Sequence, residues 1–186
     1  MVIIGITGTI GAGKGTIVDY MIENYGFHHF SVRRFLAEEA EKRGMPLNRD
    51  SYVTIANDLR AKYAPSYIVD QLCEKAILQG ENAIIESIRT PGEITSLRKY
   101  ENFYLLAIDA KPEIRYHRIV ERNSETDKIS YSTFLENEQR EMNSADPNKQ
   151  NLSKCIIEAD FLLRNDGELT ELYTMFQPVI NKILKQ

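Results

Sequence analysis

Gly5-Ile6-Thr7-Gly8-Thr9-Ile10-Gly11-Ala12-Gly13-Lys14-Gly15-Thr16 is the stretch whose reading decides the fold. It continues Val2-Ile3-Ile4, an apolar run whose β-branched content suits a buried strand. After it come Ile17, Val18, Met21, Ile22 and Tyr25, spaced for a helix that buries one face. Strand, glycine loop ending in lysine, then helix is the setting of a phosphate-binding P-loop, and Gly8 to Gly13-Lys14 has the spacing G-x-x-x-x-G-K. Glycines let successive backbone N–H groups turn into one concavity. The helix N-terminus adds unpaired donors and a favourable dipole, and Lys14 supplies formal charge for the outer phosphates. The plain alternative, a glycine turn with an exposed lysine, is disfavoured by the fixed glycines and the flanking elements. The usual loop has Ser or Thr directly after the lysine to ligate magnesium. Here Gly15 intervenes, leaving Thr16 as the hydroxyl candidate.

Working outward, 186 residues suit one α/β domain with a sizeable core. At 42% hydrophobic and 27% charged residues, the chain has the composition of a folded protein rather than a disordered one. A net charge of −4 argues against nonspecific nucleic-acid binding, so a phosphate ligand must be held by local clusters of cations. No basic leader or long apolar stretch is evident, so the expectation is no membrane association and a cytoplasmic location. Cys73 and Cys155 lie far apart in apolar-patterned segments and read as buried, reduced thiols. His28, His29 and His117 form no ligand pattern.

No repeat or linker interrupts the chain. Residues 27–30 read as a second strand, and Ser31 caps a helix over 32–43. Helices are expected over about 50–63 and 66–79, then a strand over 82–86 that ends in Glu86. Thr90-Pro91-Gly92-Glu93 is a strong helix start, and that helix is expected to reach about Tyr100. Residues 103–109 form a further strand ending in Asp109, and 112–122 a helix. A polar stretch at 123–131, a helix over 132–142 and a turn-rich loop at 144–151 follow. Residues 161–163 read as the last strand, before a final amphipathic helix that Pro178 should bend. Alternating strands and helices imply a parallel sheet covered on both faces, with ligands at the carboxyl ends of the strands. The P-loop, Glu86 and Asp109 all fall at such ends and can converge there.

A P-loop alone does not choose between switch, motor and kinase. Asn148-Lys149-Gln150-Asn151 is not the base-reading element of a GTPase, and large motor ATPases need more chain. A small-molecule kinase needs cations that close over the transferring phosphoryl group. Arg115, Arg118 and Arg122 supply them, one helical turn apart, though such charges also occur on solvated helices.

Gly8-Thr9-Ile10-Gly11-Ala12-Gly13-Lys14-Gly15-Thr16 resembles the G-x-x-G-x-G-K-G-T loop of adenylate kinase and related nucleoside monophosphate kinases, in which Gly-Thr after the lysine is normal. Arg118-Ile119-Val120-Glu121-Arg122 resembles their lid element R-x-x-x-R, and Glu86-Ser87-Ile88-Arg89 is similar to their acid-plus-arginine element. The spacing looks like the adenylate-kinase-related and dephospho-CoA-kinase-like branch, and also like the kinase-like segment ahead of some dCMP deaminases.

The resemblance implies a five-stranded parallel P-loop sheet forming a single kinase domain. Its core would be 1–30, 80–117 and 152–186, its acceptor-side insert 31–79 and its lid region 118–151. It implies ATP on residues 8–16 (Gly8, Thr9, Ile10, Gly11, Ala12, Gly13, Lys14, Gly15 and Thr16), with Mg2+ at Thr16 and at Glu86, directly or through water. Arg89 would anchor the acceptor phosphate, and Arg118 and Arg122 would neutralise transition-state charge. The family's arginine on the first acceptor-side helix is replaced by Ala37; Arg33 and Arg34, a few residues earlier, either take its place or are solvated. Asn57 and Arg60 share a helix face, more in keeping with a packed surface than an acceptor pocket. The leading expectation is phosphoryl transfer from ATP to a nucleoside or deoxynucleoside monophosphate. Transfer to a hydroxyl and a non-catalytic nucleotide-binding module remain as alternatives, as do a homodimer and a partner domain.

Overall fold

Every residue of β1 (Ile3–Gly8) is buried, as in a strand whose sheet is covered on both faces. This is seen in a computed structural model that describes residues 1–122 and 129–185. Most of the polar stretch noted at 123–131 lies outside the described residues. Beside β1 lie β3 (Ala83–Glu86) and β4 (Phe103–Asp109), with β2 (His28–Ser31) and β5 (Phe161–Arg164) at the edges. The order is β2-β3-β1-β4-β5 and every pairing is parallel. The expected five-stranded parallel α/β sheet is therefore the fold of the chain.

Side chains alternate across β1. Ile3 joins a core with Ile85, Leu105 and apolar residues of α2 (Val32–Lys42), α3 (Arg49–Lys62), α4 (Tyr67–Gln79) and α5 (Pro91–Leu97). Ile4 and Ile6 face the other way, against α1 (Lys14–Tyr25) and α9 (Leu169–Leu184). This period of two fixes which strand ends carry side chains toward each face.

The helix starts follow the caps read from the sequence. Ser31 accepts the Arg34 N–H at 3.3 Å, and Thr90 with Glu93 forms a capping box. Two expectations need correction. The helix after Thr90 ends at Leu97, because Arg98–Asn102 turn back into β4, where Phe103 N donates to Tyr100 O. A short helix, α8 (Leu152–Ile157), occupies a segment left unassigned; Asn151 caps it by accepting from Lys154 N. Its six residues span too few turns to show a period. Between β4 and α8 lie α6 (Pro112–Arg122) and α7 (Tyr131–Met142), and α9 continues through Pro178 to Leu184. Among the described residues no helix is long and apolar enough to cross a membrane.

Candidate active site

The turn from β1 into α1 is built on glycine where no other residue fits. Gly8 has φ +132, and a Cβ there would lie 1.9 Å from the Ile108 carbonyl oxygen. Gly13 caps α1 at φ 99. The loop opens onto a cavity of about 810 Å³, lined by Ile10, Gly11, Gly13, Lys14, Gly15 and Thr16. Gly8, Thr9 and Ala12 do not line it. Thr9 instead donates to Asp109 at 2.6 Å, and Ala12 is packed into the core.

Among the described residues, seven cationic side chains line this cavity against four carboxylates, although the chain as a whole is acidic. Lys14 Nζ donates to the carbonyls of Thr9 at 2.8 Å and Gly8 at 3.1 Å. Burial, helped by Arg89 and Arg115, lowers its ammonium from 10.5 to about 7 against the opposing pull of Glu86 and Glu141. Glu86, at the end of β3, meets His29 Nε2 at 3.1 Å across the β2–β3 pairing. Burial alone would raise the Glu86 carboxyl. The His29 hydrogen bond and the charges of Lys14 and Arg89 outweigh it and bring the group below its ordinary value.

Arg89, Arg118 and Arg122 also line the cavity, as does Arg33, whereas Arg34 is exposed and does not. Arg118 is braced on the turn before α9, donating to the carbonyls of Asn165 at 2.8 Å and Gly167 at 3.0 Å. Two expectations are overturned. Arg115 is only 2% exposed and points into the protein, where it is held by Glu138, the Ala110 and Ile10 carbonyls and the Phe134 ring. It braces the loop against α7 and is no clamp over a ligand. Asp109 does not reach the cavity, because its two oxygens are taken by Thr9 and Arg164.

Arg49, Ser87 and Glu141 are among the cavity residues that the sequence does not single out. Glu141, buried at the end of α7, pairs through one oxygen with Arg49 and through the other with Arg89 at 3.0 Å. Ser87 has φ 73, outside the usual range for a non-glycine residue. A signal for Arg49 and Glu141 did exist. Arg49 opens α3 and Glu141 sits in the last turn of α7, each at the end where the helix dipole disfavours its charge. Such placements mark charges kept for a partner elsewhere. Arg60 lines the cavity as well, against the expectation of a merely packed helix face.

Thr16 and Glu86 offer a hydroxyl and a carboxylate to the same cavity, hard oxygen donors suited to Mg2+ held chiefly by a nucleotide's phosphates. Among the described residues no group of three or more His, Cys, Asp or Glu makes an all-protein metal site.

A parallel sheet with this strand order, a glycine loop feeding α1 and a cation-rich cavity at the carboxyl ends of the strands define a P-loop α/β protein. Solved structures that share the fold include a shikimate kinase from Bacteroides thetaiotaomicron (TM-score 0.63, 11% identity, 100% of this chain and 99% of that one) and a sugar kinase from Janibacter sp. HTCC2649 (TM-score 0.58, 15% identity, 97% and 95%). Residues 4–144 match the family described as an AAA domain, and a UPF0200 protein from Methanococcus maripaludis is 31% identical over 97% of this chain and 99% of its own length; the chain belongs to these families.

Proposed function

We propose that the chain is an ATP-dependent phosphotransferase whose acceptor is a nucleoside or deoxynucleoside monophosphate. One observation carries this reading: a single cavity receives two sets of cations from different elements. Lys14 and the P-loop amides, with Arg118 and Arg122 from α6, suit the triphosphate of the donor. Arg33 from α2, Arg49 from α3 and Arg89 after β3 suit a second phosphate. Residues 31–79 then serve as the acceptor-side insert and 118–151 as the lid region.

In this reading Lys14 leaves the Gly8 and Thr9 carbonyls to bridge the donor's outer phosphates. Arg89 and Arg49 exchange Glu141 for the acceptor's phosphate. Thr16 and Glu86, the latter held by His29, would hold Mg2+ directly or through water, and the ion would supply neutralisation of phosphate charge. The remaining work is positioning and exclusion of water, which is what phosphoryl transfer asks of a protein.

The test is ADP release from ATP and Mg2+ across a panel of ribo- and deoxyribonucleoside monophosphates and dephospho-CoA. Release with monophosphates supports the proposal. Release with dephospho-CoA alone moves the acceptor to a hydroxyl, and release with neither leaves a nucleotide-binding module.

A further inference from the structure

Arg60 is 2% exposed, yet it forms part of the cavity wall. Its Nε and Nη2 both donate to Oε1 of Glu93, at 3.2 and 2.8 Å. Glu93 is fully buried, and its other oxygen takes the N–H groups of Arg89 at 2.7 Å and Thr90 at 3.0 Å. The guanidinium is therefore locked and its charge is matched. Its third nitrogen, Nη1, is buried and has no partner among the described residues. Folded proteins rarely leave a buried donor unpaired, because it loses its water and gains nothing in exchange.

Arg49, Tyr52, Val53, Ala56 and Arg60 all line the cavity and fall at helical spacing, forming one stripe along α3. Eleven residues at 1.5 Å each put about 16 Å between the stripe's first and last Cα. At one end Arg49 shares a carboxylate with Arg89, which suits an anion. At the other end Arg60, already neutralised by Glu93, suits an uncharged hydrogen-bond acceptor. Between them lies an aromatic and apolar wall. A ligand with a phosphate, a flat body and a ring acceptor beyond it matches all three parts, and a bare sugar phosphate matches only the first.

We propose that Arg60 is a specificity-determining residue that donates from Nη1 to a ring oxygen or ring nitrogen of the acceptor's base, which reaches it as the side chains now covering Nη1 part. This rests on the monophosphate reading above. The competing explanation is a water joining Nη1 to Oδ1 of Asn57, which is likewise buried without a partner among the described residues.

Calorimetry on the full chain without ATP separates them. The titrants are AMP, GMP, CMP, UMP, their deoxy forms and ribose 5-phosphate, against wild type and Arg60→Lys, which keeps a charge for Glu93 and loses Nη1. The nucleotide that binds tightest should lose at least tenfold in the variant, with ribose 5-phosphate unchanged. A second arm leaves the protein intact and replaces single ring acceptors of that nucleotide by C–H. One analogue should lose about tenfold on wild type and nothing further on the variant. Equal losses for nucleotide and ribose 5-phosphate, unchanged nucleotide affinity, no preference for any nucleotide over ribose 5-phosphate, or no position-specific loss among the analogues would each overturn the assignment. Binding with these losses but without ADP release would remove phosphoryl transfer and leave Arg60 in place. ADP release without them would do the reverse.

Discussion

Replacing Glu141 by Gln removes the carboxylate that holds Arg49 and Arg89 together while keeping its shape. Both arginines belong to the cavity, so the same change acts on the fold and on the ligand. A buried charge-assisted hydrogen bond contributes about 1.5–3 kcal/mol. Arg49 and Arg89 keep 28% and 20% of their side-chain area exposed, so solvent screening reduces each contact to about 1 kcal/mol. Two such contacts give about 2 kcal/mol of stability, lowering Tm by roughly 4–8 °C in a chain of this size. An acceptor phosphate that replaces Glu141 must first break those contacts. The variant should therefore bind a nucleoside monophosphate more tightly, by up to roughly thirtyfold. The loss and the gain are one quantity read twice, by thermal unfolding without ligand and by calorimetry with AMP or dCMP. A fall in Tm with unchanged phosphate affinity would mean that Glu141 stays between the arginines in the complex. Weaker binding, in step with Arg49→Ala, would mean that it positions them, and the displacement argument would fail.

Arg122→Ala should lower turnover by roughly 10³–10⁵ with little change in ATP affinity, the signature of charge met only in the transition state; equal losses in both would contradict that role. Because Lys14 is brought down to about 7, ATP binding that restores its charge should take up roughly 0.9 proton at pH 8 and roughly 0.1 at pH 6, measured by calorimetry in buffers of different ionisation enthalpy. The same lowered value means that, between about 7 and 10.5, the folded chain holds fewer protons on this group than the unfolded one. Its contribution to stability thus rises with pH across that window, is fully present above 10.5 and is lost as pH falls through 7, an effect a chemical-denaturation series with Lys14→Met as control would isolate. Gly8→Ala should fail to give folded protein, since its Cβ would meet the Ile108 carbonyl, whereas Gly15→Ala, whose Cβ would meet no described residue outside its own helical turn within 4 Å, should gain about 0.5 kcal/mol in urea unfolding.

The sheet was legible because strand and helix periods differ and because caps announce helices before they begin. Val2–Ile6 and the stretch from Ile17 to Tyr25 needed only that, and Thr90-Pro91-Gly92-Glu93 set the start of α5 without any tertiary information. The P-loop was legible for a similar reason, since its backbone demands glycine at fixed places. The cation-rich cavity was readable only in part. Arg115 and Arg118 are three residues apart on one helix, and no spacing rule says that one turns inward to Glu138 while the other reaches the Asn165 turn. Those partners come from α7 and from the segment after β5, so their arrival depends on how remote elements pack. Ser87 is harder still. Its positive φ is imposed where its own N–H and that of Ile88 both reach the Ile6 carbonyl at 3.0 Å, and serine does not advertise that conformation.

What separates the arginines of this protein is the freedom of their partners. Arg60 and Arg115 are each about 2% exposed and are held by carboxylates through two nitrogens apiece; releasing either would leave a buried charge without a counterpart. Such groups can shape a wall or spare a single N–H, but they cannot follow a phosphoryl group as it moves. Arg49, Arg89 and Arg118 sit nearer to solvent, the first two on a shared carboxylate and the third on backbone carbonyls. A polyanion can outbid these partners, because it brings more charge than one carboxylate and far more than a carbonyl dipole. On the proposed reading, internal oxygens hold Lys14, Arg49, Arg89 and Arg118 until an anion of higher charge takes over. Exchange of partners, rather than the number of arginines, is what the cavity offers a phosphate.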